Sequence, residues 1–456
     1  MTDSNIQIFD VGPHRAGTGR LKKWTALDGV LKWALVLAVF GYPMIATLPI
    51  FLSLETRVFS VPYRAFVIAL TVLALLLSLL NRRHTRIPMY VLALISVSCL
   101  ILILRFSNET FARNLAPGPT QTVGEFTLFF LGVTLFPALA LCLPIRVAIE
   151  KSIYRSVLVF GSATVALVVF AALFLNPVID PTLRADLEGL NAISYATTGA
   201  TLILLIWPVM VGGTKSMGTW VISIAAVTLG LIPLLTAASR GPLVSLLIVL
   251  ATFHVVSNKG KRLKSILLIL AAAGAIATGM GDWLSAMVES GDQTLALARR
   301  VTDISGDSST VERLIILNSS WDVFIANPLI GGAMVEPVLH AYPHNILLEA
   351  LMVGGIPFGI IVLVLVIATA IQALRLVKSP STARLRRFIG IFTLYVLVMA
   401  MLSGSLYKSP DFWAVVVISF SFRPVRRVRA EVRNTTAQYP TGDNFSPHRS
   451  HRIENT

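Results

Sequence analysis

Long apolar runs recur along nearly the whole chain, and no other feature narrows its fold as far. A bilayer core takes about 20 apolar residues per helix. Hydrocarbon admits only helices and closed barrels, because every backbone polar group must be satisfied internally. Twelve runs are candidate spans, at roughly 30–52, 62–80, 87–105, 124–143, 153–175, 191–211, 218–236, 242–257, 266–281, 345–374, 388–404 and 411–422. The eighth, ninth and twelfth are short. The runs predict an all-α polytopic membrane protein of about 12 transmembrane helices, with one large loop containing short helices. Charged residues make up 13% of the chain and hydrophobic ones 55%, with a mean hydropathy of +0.77. A soluble domain would carry about 25% charged residues.

Lys and Arg orient such a bundle. Most of the 38 basic residues lie in the N-terminal tail or in "NRRHTR", "PIRVAIEKSIYR", "GGTKSMG", "SNKGKRLKS", "RLVKSPSTARLRR" and the C-terminal tail. These connections fall on one side if all twelve runs cross. Arg57, Arg64, Arg105, Arg113, Arg184, Arg240, Arg299, Arg300, Arg313 and Lys408 fall on or near the other. Both termini are therefore expected in the cytoplasm. The domain reading is a basic tail over 1–28, helices one to nine over 29–281, a large outward loop over 282–343, helices ten to twelve over 344–422, and a disordered basic tail over 423–456. The net charge of +15 is then an orientation signal beside anionic lipid, and no nucleic-acid partner is needed. The polar, basic start does not resemble a cleaved signal. Cys99 and Cys142 lie in apolar runs, which argues against a disulfide framework or a Cys-based zinc site.

Three features mark the expected outer face. In "TAASRGPLV", Ser239, Arg240, Gly241 and Pro242 interrupt the apolar sequence between two spans. Gly and Pro suit a tight turn, and Arg240 could snorkel to the interface. An arginine so close to hydrocarbon otherwise calls for a partner, distant in the chain or a ligand. In "GDSSTVERLIILNSSWDVFIANPLIGG", Leu314, Leu317, Trp321, Phe324 and Ile325 recur at helical spacing. Ser309 and Glu312 have capping-box spacing, and the apolar stripe is expected to pack against the bundle. Arg313 then falls near a helix start, where it either pairs with Glu312 or Asp307 or joins free helix N–H groups in receiving an anion. In "HAYPHNILLEALMVGGIPFG", His344 and Asn345 precede an apolar run broken by Gly354, Gly355 and Pro357. The pair could simply cap a helix, or His344 could serve as a general base at the lipid–water boundary.

The loop has no D-x-D pair, and the chain has no H-E-x-x-H, G-x-S-x-G or P-loop. No metal or other cofactor is expected.

Taken together, these residues resemble the O-antigen ligase and Wzy-type polymerase superfamily of bacterial envelope glycosyltransferases. The resemblance runs from about residue 30 to 422. It rests on "SRG" at 239–241, "NPLIGG" at 327–332 and "HN" at 344–345, followed by Leu348, Gly355 and Ile356. It implies catalytic His344, Arg240 and Arg313, with Arg299 and Arg300 as other candidates for the loop arginine, and Asn345 beside Arg240 and Arg313 in binding substrate. The implied donor is a glycan on undecaprenyl diphosphate in the periplasmic leaflet of the inner membrane. The acceptor would be another lipid-linked glycan or lipid A-core, and the partners could include a chain-length regulator. The family pattern after His-Asn places Gly, Thr or Tyr where this chain has Phe358, with Gly359 one place late. That departure favours a polymerase of O-antigen or exopolysaccharide over a ligase. A transporter or flippase is the reading from another class. Its paired broken helices in two related halves have no counterpart in this sequence, whose halves do not look alike.

Overall fold

The computed structural model describes residues 26–81, 87–112, 128–175, 187, 190–212, 216–237, 239–257, 308–380 and 382–422. The expected ninth span, both tails, Arg299, Arg300 and Asp307 lie outside the described residues. The protein is an all-α polytopic membrane protein. Among the described residues nine helices are long and apolar enough to cross a bilayer. They are α1 (Ala26–Leu52), α2 (Thr56–Leu80), α3 (Met89–Ala112), α5 (Val147–Phe170, extended by a π-helical turn), α6 (Ala192–Val211), α7 (Met217–Thr236), α8 (Arg240–Ser257), α10 (Ile346–Val377) and α11 (Arg384–Ser403). The expected fourth span is a shorter element, π-helical at Leu128–Leu135 and α-helical at Phe136–Ala140, labelled α4 here. The loop helix α9 covers Ser308–Ala326, and α12 covers Pro410–Ile418.

Small residues let the central helices approach closely, as is usual where lipid supplies no hydrophobic drive between them. A Cβ on Gly199 of α6 would stand 2.2 Å from the Gly230 carbonyl oxygen of α7. Helix α6 is deeply enclosed, with its residues from Tyr195 to Ile206 almost all buried.

The two family-like glycine motifs explain each other. Helix α10 is broken at Gly355, whose φ of 67° and ψ of −163° belong to a region open essentially to glycine. In an unbroken helix the Ile356 N–H would bond to the Met352 carbonyl. Here Ile356 N–H donates to Pro328 O at 2.8 Å, and Met352 O accepts from Gly332 N–H at 2.9 Å. The loop "NPLIGG" is thus zipped, backbone to backbone, into the break. A Cβ on Gly355 would lie 2.5 Å from Pro328 O, and one on Gly331 2.5 Å from the Val353 carbonyl. Phe358, the departure from the family pattern, is fully buried and lies under Gly354.

The loop helix differs from expectation in two ways. It begins at Ser308, so Ser309 lies inside it and not at the cap. Its buried face is Ile316, Ser320 and Phe324, which are spaced four apart and fall on one side. Leu314, Trp321 and Ile325, expected to pack inward, are exposed. Polar Ser320 took the central position because helix–helix contact under a loop rewards a small side chain as much as an apolar one.

Candidate active site

Each site residue is held by backbone geometry before any chemistry begins. Arg240 is the first residue of α8, with Gly241 and Pro242 completing its first turn. Proline is tolerated there because that N–H has no intrahelical partner. Gly241 packs on the end of α11, where an added Cβ would be 3.7 Å from Ser403 Oγ and 3.9 Å from Met399 Sδ. Arg240 itself is half-buried.

Asn345 caps α10. Its Oδ1 accepts from Leu347 N–H at 3.0 Å and Leu348 N–H at 3.1 Å, and its Nδ2 donates to Met401 O of α11 at 3.1 Å. Expected also to touch substrate, it has both ends of its amide engaged by backbone. Arg240 and His344 are consequently moored on the same end of α11.

The approach to His344 is built by buried carboxylates that serve backbone N–H groups. Glu109 of α3 accepts from Met334 N–H. Fully buried Glu336 accepts from Val338 and Leu339, the latter at 2.8 Å, and closes the turn that ends at Ala341. One turn into α10, fully buried Glu349 accepts from Ser405 Oγ at 3.0 Å and Leu406 N–H at 2.8 Å. That grip fixes the short α11–α12 connection, which carries Tyr407 and Lys408.

His344 adopts a φ of 56°, uncommon outside glycine though histidine tolerates it better than most. Its ring lies 4.5 Å from that of Tyr342, and its Nδ1 is buried without a hydrogen bond. Lys408 Nζ stands 5.5 Å over the Tyr342 ring and 5.3 Å over that of Tyr407. Burial first, then the charges of Arg313 and Lys408, pull the His344 imidazole down to about pKa 4. Such a ring is neutral at any ordinary pH. Arg313 also acts on Tyr342, whose phenol is raised by burial and by Glu349 and lowered by Arg313.

Two of the three expected catalytic residues, His344 and Arg313, are therefore within electrostatic reach of each other. Arg240 shares their end of the bundle. No ion pair joins Arg313 to Glu312 among the described residues. Tyr342, Glu349 and Lys408 were not singled out from sequence. Lys408 was visible as an outer cation, and Tyr342 as part of the histidine stretch, but nothing local ties residue 408 to residue 344. Among the described residues no three His, Cys, Asp or Glu side chains gather where a metal could sit.

Residues 224–364 match the family model described as O-Antigen ligase. The matched segment contains Arg240, Arg313, "NPLIGG", His344 and the break in α10. It supports the O-antigen ligase and Wzy-type superfamily for this membrane protein. No curated protein matches the chain.

Proposed function

We propose, on the premise of that family, that the protein is a metal-independent glycosyltransferase working at the outer face of a bacterial inner membrane. It would move a glycan from undecaprenyl diphosphate to an acceptor hydroxyl during assembly of a surface polysaccharide. The observation that carries the reading is a neutral imidazole, His344, held among fixed cations at one end of the bundle.

The acceptor oxygen attacks the anomeric carbon as the bond from that carbon to the diphosphate oxygen breaks. Undecaprenyl diphosphate leaves with the electron pair, and His344 takes the proton from the attacking hydroxyl. Negative charge grows on the diphosphate, and the guanidinium groups of Arg240 and Arg313 would stabilise it. Lys408 adds a third positive charge beside His344. A ring held near pKa 4 is a weak base on its own. Binding a diphosphate offsets the two charges that depress it, so the base strengthens when the donor is in place. Asn345 positions His344 by fixing the start of α10.

Deletion of the gene tests the reading, with lipopolysaccharide gels and assay of secreted polysaccharide as readouts. Single-repeat products indicate a polymerase, which the sequence favours. Lipid A-core without O-chain, with accumulated lipid-linked polymer, indicates a ligase, the activity the matched family is described by. Complementation with His344→Ala or Arg240→Ala should lower transfer by about 100-fold or more. Wild-type glycan profiles from both variants at normal protein levels would remove the mechanism.

A further inference from the structure

Beside the histidine niche lies a cavity of about 470 Å³, walled by α1, α2, α4, α6, α11 and α12. That volume falls within the range of small-molecule sites, roughly 300–1,000 Å³. Tyr342 and Lys408 border it, so the two side chains next to His344 are also its wall. Deeper in, apolar residues such as Leu37 and Phe392 form much of the lining.

Its polar groups are of a different kind from the cations around His344. Tyr63 and Arg64 come from α2, Asn191 and Thr197 from the start of α6, and Asp411 from the first turn of α12. Asp411 interacts electrostatically with both Tyr63 and fully buried Tyr395, and the latter has Thr197 beside it. Among the described residues Asp411 makes no hydrogen bond or ion pair. It is exposed, and it lines the cavity. Asp411 sits in the first turn of α12, where a helix N-terminus welcomes an acid, and the cavity it lines is partly open. A carboxylate left open to the cavity can accept from a ligand's hydroxyls in place of water.

The arrangement selects among ligands. A diphosphate would meet the Asp411 carboxylate as well as Arg64 and Lys408. It is better served by the niche at His344, where Arg313 and Lys408 act and the nearby carboxylate, Glu349, already accepts from Ser405 and Leu406. An isoprenoid tail gains nothing from Asp411, Asn191 or Arg64. A sugar ring offers adjacent hydroxyls that donate to Asp411 and accept from Arg64 and Asn191. Its apolar face can rest on tyrosine.

Resting on the glycosyltransferase reading, we propose that this cavity binds the terminal sugar of the acceptor, with Asp411 accepting from its hydroxyls and Tyr342 forming the wall shared with His344. Donor and acceptor then occupy separate compartments, one cationic and one hydroxyl-binding, that meet at Tyr342 and Lys408.

The test measures binding, not transfer. The probe is delipidated oligosaccharide released by mild acid from the host's own surface polysaccharide. It is added to the purified full-length protein in lipid nanodiscs and followed by saturation-transfer NMR and calorimetry. The wild-type protein should bind the oligosaccharide. Asp411→Asn should weaken binding by about tenfold or more, since it removes the charged acceptor. Ser194, in the first turn of α6, also lines the cavity, and Ser194→Phe, which adds volume there and leaves the charges alone, should abolish binding. If Asp411→Asn fails to accumulate, Ser194→Phe carries the test. Unchanged binding in both variants overturns the proposal. So does a wild-type protein that binds no oligosaccharide, or one from which undecaprenyl diphosphate displaces it in the cavity. The transferase reading fails separately, if gene deletion leaves the cell's glycans unchanged.

Discussion

At the end of the bundle away from His344, Arg386 of α11 holds Glu150 of α5 through three hydrogen bonds of 2.7 to 3.0 Å. Nearby, Arg146 pairs with buried Asp28 at 2.8 Å, and Arg387 lies 4.7 Å over the Phe253 ring. At the histidine end, Glu336 and Glu349 are just as buried, but their oxygens accept backbone and hydroxyl donors. Arg313 and Lys408 form no ion pair among the described residues. The same helix, α11, thus runs from neutralised charge to a cationic niche, with Arg386 and Ser403 about 25 Å apart at 1.5 Å per residue. Charge that is cancelled internally holds helices in place. Charge left uncancelled, on a scaffold whose carboxylates are already occupied, is available to an incoming anion.

The strongest test of this contrast is Arg386→Met. It strands Glu150 in the bundle and should cost about 3–5 kcal/mol, read as a lower melting temperature and poor accumulation. Arg386→Met combined with Glu150→Gln should recover much of that loss. A fully stable Arg386→Met protein would break the comparison at its neutralised end.

Gly355→Ala should be next in size. The strained φ alone costs about 1–3 kcal/mol, and the new Cβ would collide with the Pro328 carbonyl. Because that contact zips the loop to α10, transfer should fall along with the melting temperature. Loss of stability with full transfer would mean that the zipper does not position the site.

The smallest expected effect is a titration. Protonation disables His344 as a base, so activity should fall as pH drops toward its pKa. Lys408 helps to hold that pKa at about 4. Lys408→Met removes a repelling charge and favours the imidazolium, so the acid limb of kcat/KM should move to higher pH. A limb that stays put would place Lys408 outside the niche.

Much of the fold was legible because a membrane simplifies the code. Nine of the twelve expected spans correspond to long apolar helices, and backbone satisfaction in hydrocarbon leaves few alternatives. The candidate site was legible in part. Arg240 and His344 stand out as polar residues where a bilayer boundary makes polar residues costly, whereas the loop residue Arg313 could be named as catalytic only through the family resemblance. The face of α9 was not legible, since Ser320 and not Trp321 turned out to be buried. Hydropathy ranks side chains, while a close helix contact ranks size.

The sequence by itself determined that the chain is a helical membrane bundle, that its positive charge is distributed unevenly, and which polar residues stand out against apolar surroundings. Only the tertiary structure decided that residues 328 to 332 close the break at Gly355, that Glu349 fixes the segment bearing Lys408, and that Asp411 opens onto a cavity beside Tyr342. The physical reason is range. Burial of a helix is written in consecutive residues, whereas these contacts join positions tens to hundreds of residues apart. They exist only once the helices have packed.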